Sequence, residues 1–271
     1  MQNRAVFAQD PTTFSIPNDG VTVVADPQTT EEWDVLRYEL SSFVCDGEYR
    51  EGLHRILSTF MGHLGKPKQP AVWVSGFYGS GKSHLVRMLQ YLWSDVNFPD
   101  GAQARGLARL PADINDLLAE LSAAGQREGG LWAAAGKLGA GHASIQLDVL
   151  KIVFRSAGLP VQFAPARLLI WLKQKGIYEA VRAGVEQRGG LFEDELQNMY
   201  VSLELAESIF DANPGVAQSP LDISELLVAQ YPDRTEIDDD LMLQALEDVL
   251  RLQSTTPGRL PLTLLVFDEL Q

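Results

Sequence analysis

Eight consecutive residues limit what this chain can be more than any other feature. Gly76-Phe77-Tyr78-Gly79-Ser80-Gly81-Lys82-Ser83 fits the pattern G-x-x-x-x-G-K-[ST]. Each fixed position has a physical reason. The glycines reach backbone angles closed to other residues and let the main chain come close to an anion. Successive N–H groups then point into one concavity, and a helix starting near Ser83 adds the positive end of its dipole. Lys82 brings a mobile point charge to the β- and γ-phosphates. The Ser83 hydroxyl is a hard oxygen ligand suited to Mg²⁺. The candidate nucleotide-binding residues are therefore Gly76, Gly79, Ser80, Gly81, Lys82, Ser83 and His84. His84 stands at the edge of the loop, with helix packing rather than base catalysis as its expected role.

The flanks agree with a phosphate loop. Before it, Ala71-Val72-Trp73-Val74-Ser75 is a short apolar run compatible with a strand buried on both faces. After it, Leu85, Leu89 and Leu92 recur at helical spacing through Ser83–Trp93. A second chemical element stands far along the chain, where the apolar run Leu262–Phe267 ends in Asp268-Glu269. A strand of that kind delivers its last side chains to the carboxyl edge of a sheet, where open α/β folds bind ligands. Asp268 is placed to hold Mg²⁺ together with Ser83, and Glu269 to polarise water as a general base. Lys82 and Glu269 are thus the candidate catalytic residues, and ATP with Mg²⁺ the expected cofactors. An Asp-Glu ending favours water as acceptor, hence hydrolysis over kinase chemistry.

Composition narrows the setting. Apolar residues make up 45% and charged residues 21%, which is globular and not disordered. Against 36 acidic side chains stand 22 Lys and Arg, a net charge of −14. That balance argues against a general binder of the nucleic-acid backbone. The single cysteine, Cys45, excludes an internal disulfide and reads as a packed thiol in a reducing cytoplasm. The four histidines show no metal-ligand spacing. No apolar run approaches the length of a membrane helix, so no membrane association is expected.

Elsewhere the chain reads as helices. Thr29 and Glu32 form a capping box ahead of Trp33, Leu36, Leu40 and Phe43. Leu53, Ile56, Leu57, Phe60, Met61 and Leu64 make one stripe, closed by Gly65 and Pro67. Val21–Val24 is a short β-like run. Residues 96 to about 258 read as mostly helical, with stripes at Ile114–Leu121, Ile145–Val153, Leu196–Leu203 and Met242–Leu250, and with glycine-rich loops at Gly125–Gly130 and Gly136–Gly141. The acidic run Glu236–Asp240 suits a helix start. Trp73, Trp93, Trp132 and Trp171 sit among apolar neighbours and are expected in cores. The resulting division is an amino-terminal segment (1–48), the first part of a phosphate-loop core (49–95), a helical insert (96–258) and an acidic strand (259–271). The expected fold is α/β, a three-layer, AAA-like parallel sheet of the P-loop NTPase kind with a large helical insert, incomplete at the carboxyl end. A buried strand so near the last residue suggests the amino-terminal piece of a longer protein.

The stretch from Tyr49-Arg50 through the amphipathic helix, then VWVSGFYGSGKSHLVRML and LLVFDELQ, resembles the large P-loop ATPases of bacterial phage-defence islands. These are the BREX and phage growth limitation (Pgl) systems, with their BrxC/PglY-like ATPases. The phrase W-V-S-G-F-x-G-S-G-K-S-H carries most of the likeness. The resemblance implies an ATPase working with a DNA methyltransferase and other defence proteins, self-association into a homo-oligomer, and DNA contacted through the rest of the protein. By resemblance, Gly76, Gly81, Lys82 and Ser83 form the nucleotide loop, and Asp268 with Glu269 the acidic pair. Two other readings fit the same residues. One is a nucleotide-gated assembly scaffold with little turnover. The other is a phosphotransferase with a helical lid, which the Asp-Glu ending counts against.

Overall fold

A computed structural model describes residues 26–77, 79–138 and 144–268. Among them are twelve helices and two strands, divided between two compact units, Met1–Ala119 and Glu120–Gln271.

In the first unit, α1 (Thr30–Ser42) begins at the expected capping box: the Thr29 hydroxyl accepts from the Glu32 N–H, and the Glu32 carboxylate accepts from the Thr29 N–H. α2 (Gly47–Met61) follows Asp46, whose carboxylate accepts from Gly47 N–H. Leu36 and Leu40 of α1 and Leu53 and Leu57 of α2 are buried. α2 ends at Met61, before the Gly65-Pro67 stop read from the sequence. α3 (Lys82–Ser94) is the centre of this unit. From Leu85 to Trp93 almost every side chain is buried, Arg87, Gln90 and Tyr91 included. Arg87 reaches Glu39 of α1, Nε to Oε2 2.8 Å, with both side chains nearly out of solvent (7% and 13% exposed).

α3 stops at Asp95, which takes a left-handed φ of 48°. The last carbonyls of a helix have no intrahelical donor. Arg105, in α4 (Ala104–Leu107), supplies one: its guanidinium donates to Leu92 O (2.6 Å), Trp93 O (2.9 Å) and Leu118 O of α5 (2.8 Å). A single cation thus ties α3 to α5 (Ala112–Arg127). Arg105→Met keeps the apolar stem and strands these carbonyls. The expected cost is about 3 kcal/mol, read as a lowered midpoint in urea unfolding; an unchanged midpoint would show that water replaces the guanidinium.

The second unit holds the sheet. β1 (Leu131–Lys137) and β2 (Leu262–Asp268) pair in parallel, in register from Leu131 opposite Leu262 to Lys137 opposite Asp268. Around them lie α6 (Ile145–Ser156), α7 (Phe163–Gln174), α8 (Tyr178–Gln187), α9 (Phe192–Gln197), α10 (Leu203–Ala212), α11 (Pro220–Gln230) and α12 (Asp239–Gln253). α6 covers β1 closely, because Gly136 has no side chain: a Cβ there would lie 2.9 Å from Ile152. Trp132, Leu150, Phe154, Leu168, Leu205 and Val249 belong to one continuous apolar core. α12 starts as the acidic run suggested, with Asp238 accepting from Leu241 N–H and Asp239 and Asp240 in the first turn.

The α/β expectation needs correcting. The described chain is mostly helical, and its two parallel strands form only a small sheet, so there is no three-layer, AAA-like parallel sheet of the P-loop NTPase kind. The strand expected at Ala71–Ser75 is absent, and residues 71–77 are irregular. Trp73 is 73% exposed there, against the expectation of a core residue. Apolar, branched residues favour a strand only when a neighbour takes up their backbone groups; β2 has β1 as its neighbour instead. β1 interrupts the stretch read as helical, and Gly136 lies within it rather than in a loop. The stripe Leu196–Leu203 is not one helix, since α9 ends at Gln197 and α10 begins at Leu203. Ile145 is exposed, whereas Ile152 and Val153 of the same stripe are buried. Trp93 and Trp132 are buried as expected, and Trp171 is half-buried. Val21–Val24 lies outside the described residues.

Candidate functional site: the glycine loop and the start of α3

The loop owes its shape to two glycines. Gly79 and Gly81 take φ of 76° and 78°, a region that a side chain makes costly. Ser80 N–H donates to Phe77 O at 3.1 Å, closing the turn between them. Gly81 is the N-cap of α3, and no side chain caps it. Its carbonyl accepts the first helical bond, from Leu85 N–H at 2.9 Å. The first N–H groups of α3 are therefore directed outward at the loop without a side-chain acceptor, and the helix dipole adds to them.

Lys82 crosses the loop. Its Nζ donates to Gly76 O at 3.0 Å and to Phe77 O at 2.8 Å. An ammonium has three N–H donors, so this geometry commits two to the main chain and leaves one for an anion. The same two bonds fix where the charge stands. Ser83, half-buried, follows in the first turn of α3. Gly76, Gly79, Ser80, Gly81, Lys82 and Ser83 thus lie on one loop and one helix start. Tyr78 lies outside the described residues.

His84 is a packing residue. Its ring stands edge-on to Phe43, centroids 5.5 Å apart. Burial holds its pKa below the usual imidazole value; Glu39 opposes that shift and Arg87 adds to it. A neutral ring in an apolar wall adds no charge to the loop.

One contact was not legible in the sequence. The Tyr49 hydroxyl, from the first turn of α2, donates to Ser80 O at 3.3 Å, and a Cβ on Gly81 would fall 1.8 Å from that hydroxyl oxygen. The phenol is therefore in direct contact with the loop immediately before Lys82. Its ring meets buried Phe43 edge-on at 5.9 Å. Next to it, Arg50 makes a two-point pair with Asp113 of α5, Nη2 to Oδ1 3.1 Å and Nε to Oδ2 3.2 Å. The Arg50 guanidinium holds the Asp113 carboxyl below the usual carboxylate range. Cys45, just before α2, is a buried thiol as expected; burial, and then Asp113, push its pKa up.

The acidic element belongs to the second unit. Asp268 is the last residue of β2 and stands opposite Lys137 in the register, and its carbonyl accepts from Leu138 N–H at 3.1 Å. Lys137 is a cation that the sequence reading did not include. Glu269 lies outside the described residues. Among the described residues no three His, Cys, Asp or Glu side chains converge as a metal cluster, and no helix is long and apolar enough to cross a membrane. No family model, no curated protein and no solved structure matches the chain.

Proposed function

We propose that this chain binds ATP at the glycine loop and the start of α3, and that it hydrolyses the bound nucleotide. One observation carries the binding half. Lys82 is held across a loop of left-handed glycines by two main-chain carbonyls, with one N–H unspent, at the uncapped start of a 13-residue helix. A polyphosphate satisfies that arrangement best, because it offers negative charge and many acceptors to donors already aimed outward. Lys82 binds and orients the β- and γ-phosphates, the N–H groups of Gly81, Lys82 and Ser83 donate to their oxygens, and the half-buried Ser83 contributes a hard hydroxyl oxygen. When bound, Mg²⁺ neutralises phosphate charge, and Ser83 is the residue here that would hold it.

Turnover is assigned to Asp268 and Glu269 on the sequence pattern of an apolar strand ending in an acidic pair. The setting is likewise a proposal: the resemblance of residues 15–95 and the last ten to BREX and Pgl ATPases supports a cytoplasmic, self-associating protein of a bacterial anti-phage complex, working beside a methyltransferase and DNA.

Two measurements test this. Titration calorimetry with ATP and Mg²⁺, with inorganic triphosphate as competitor, should give saturable binding that the competitor displaces. No heat and no competition would overturn the reading. Phosphate release should be present in wild type and lost in Glu269→Gln protein that still binds ATP. Equal release in both would remove Glu269 from the mechanism. ATP-dependent sedimentation without release in wild type would make the loop a gate for assembly instead.

A further inference from the structure

Tyr49 lies 31 residues before Ser80 and on a different element, yet it is in contact with the nucleotide loop. We propose that Tyr49 is a positioning residue of that loop: α2, through this phenol, sets the direction in which the Gly81 N–H points and so sets the affinity for polyphosphate. The inference rests on the reading of the loop as an ATP site.

The argument begins with one peptide plane. In a trans peptide the C=O and the following N–H point in opposite directions. The Tyr49 hydroxyl donates to the Ser80 carbonyl, so the Gly81 N–H is turned away from Tyr49. Gly81, at φ 78°, is a point where the loop can rotate readily, since glycine meets little steric resistance. A free glycine peptide there would sample flipped planes, with the carbonyl presented where a phosphate needs a donor. The phenol removes that freedom in two ways. It donates to the Ser80 carbonyl on one side, and its oxygen occupies the space a Cβ of Gly81 would need.

The phenol is itself held. Its ring packs edge-on to Phe43, which is buried and edge-on to His84 in α3. Its neighbour Arg50 pins the first turn of α2 to α5 through Asp113. The loop is therefore gripped from both ends of one peptide: by α3, which continues from it, and by α2, which leans on it. Preorganisation of this kind raises affinity by lowering the ordering cost at binding.

The test uses the full chain and ATP with Mg²⁺ as the probe. Tyr49→Phe keeps the ring and its packing and deletes only the hydroxyl. It should weaken ATP binding by about 3- to 10-fold with an unchanged melting temperature. Tyr49→Ala should weaken it further. Equal ATP affinity in wild type and Tyr49→Phe would overturn the positioning role while leaving the ATP reading intact. If wild type bound neither ATP nor inorganic triphosphate, the failure would be that of the ATP reading.

Discussion

Lys82→Ala protein is expected to lose ATP binding by about 100-fold or more while melting at the wild-type temperature. The two halves of that expectation have different origins. The lost affinity comes from the ammonium, whose charge-assisted bonds to phosphate are roughly twice as strong as neutral ones. The unchanged stability comes from where the ammonium now rests. Its partners, Gly76 O and Phe77 O, belong to exposed residues, so water takes the place of Nζ when the side chain is shortened. Lys82→Arg should not restore binding, because a larger, planar guanidinium does not put a compact charge at the point that Gly76 O and Phe77 O fix for the ammonium. Calorimetric titration and thermal unfolding on the same preparations check it. Retained binding in the alanine variant would mean that the backbone donors of the loop hold the anion unaided.

The second large effect concerns Glu39. Glu39→Ala should destabilise the first unit by about 3 to 5 kcal/mol, since Arg87 would keep its charge in a nearly dry setting without its carboxylate. Part of the loss should return in the Glu39→Leu/Arg87→Leu double variant, where neither charge is left to solvate. Urea unfolding followed by far-ultraviolet dichroism reads both. If the double variant proved as unstable as Glu39→Ala, the pair would be acting through geometry that no apolar substitute provides. Glu39 raises the pKa of His84, so its removal pushes an already depressed imidazole lower.

Much of the first unit was legible because its signals are local. A capping box acts over three residues, and the stripes of α2 and α3 repeat at helical spacing, so Leu36, Leu40, Leu53, Leu57, Leu85 and Leu89 are buried where the pattern placed them. The loop was legible for the same reason, as all its chemistry falls within eight residues. The sheet was misread because a strand is a relation between segments. Ala71–Ser75 has branched apolar side chains and no partner strand among the described residues, while β1, Leu-Trp-Ala-Ala-Ala-Gly-Lys, has small residues of poor strand propensity and a partner. Those small side chains let α6 approach the sheet, as the Gly136–Ile152 contact shows, but nothing local announces that. Tyr49 was missed on similar grounds: its partner is on another element, and a tyrosine in a first helical turn carries no mark of what it touches.

The in-register pairing of Leu131 with Leu262 has a consequence for how the molecule comes into being. A ribosome must add all of α6 to α12 before β1 meets its neighbour, so the helices of the second unit have to gather around an unzipped ribbon. Joining ends so distant in the chain is entropically slow. Closure of that ribbon is therefore a late step in the folding of the second unit, and it brings Asp268 opposite Lys137 only after the intervening helices have been made.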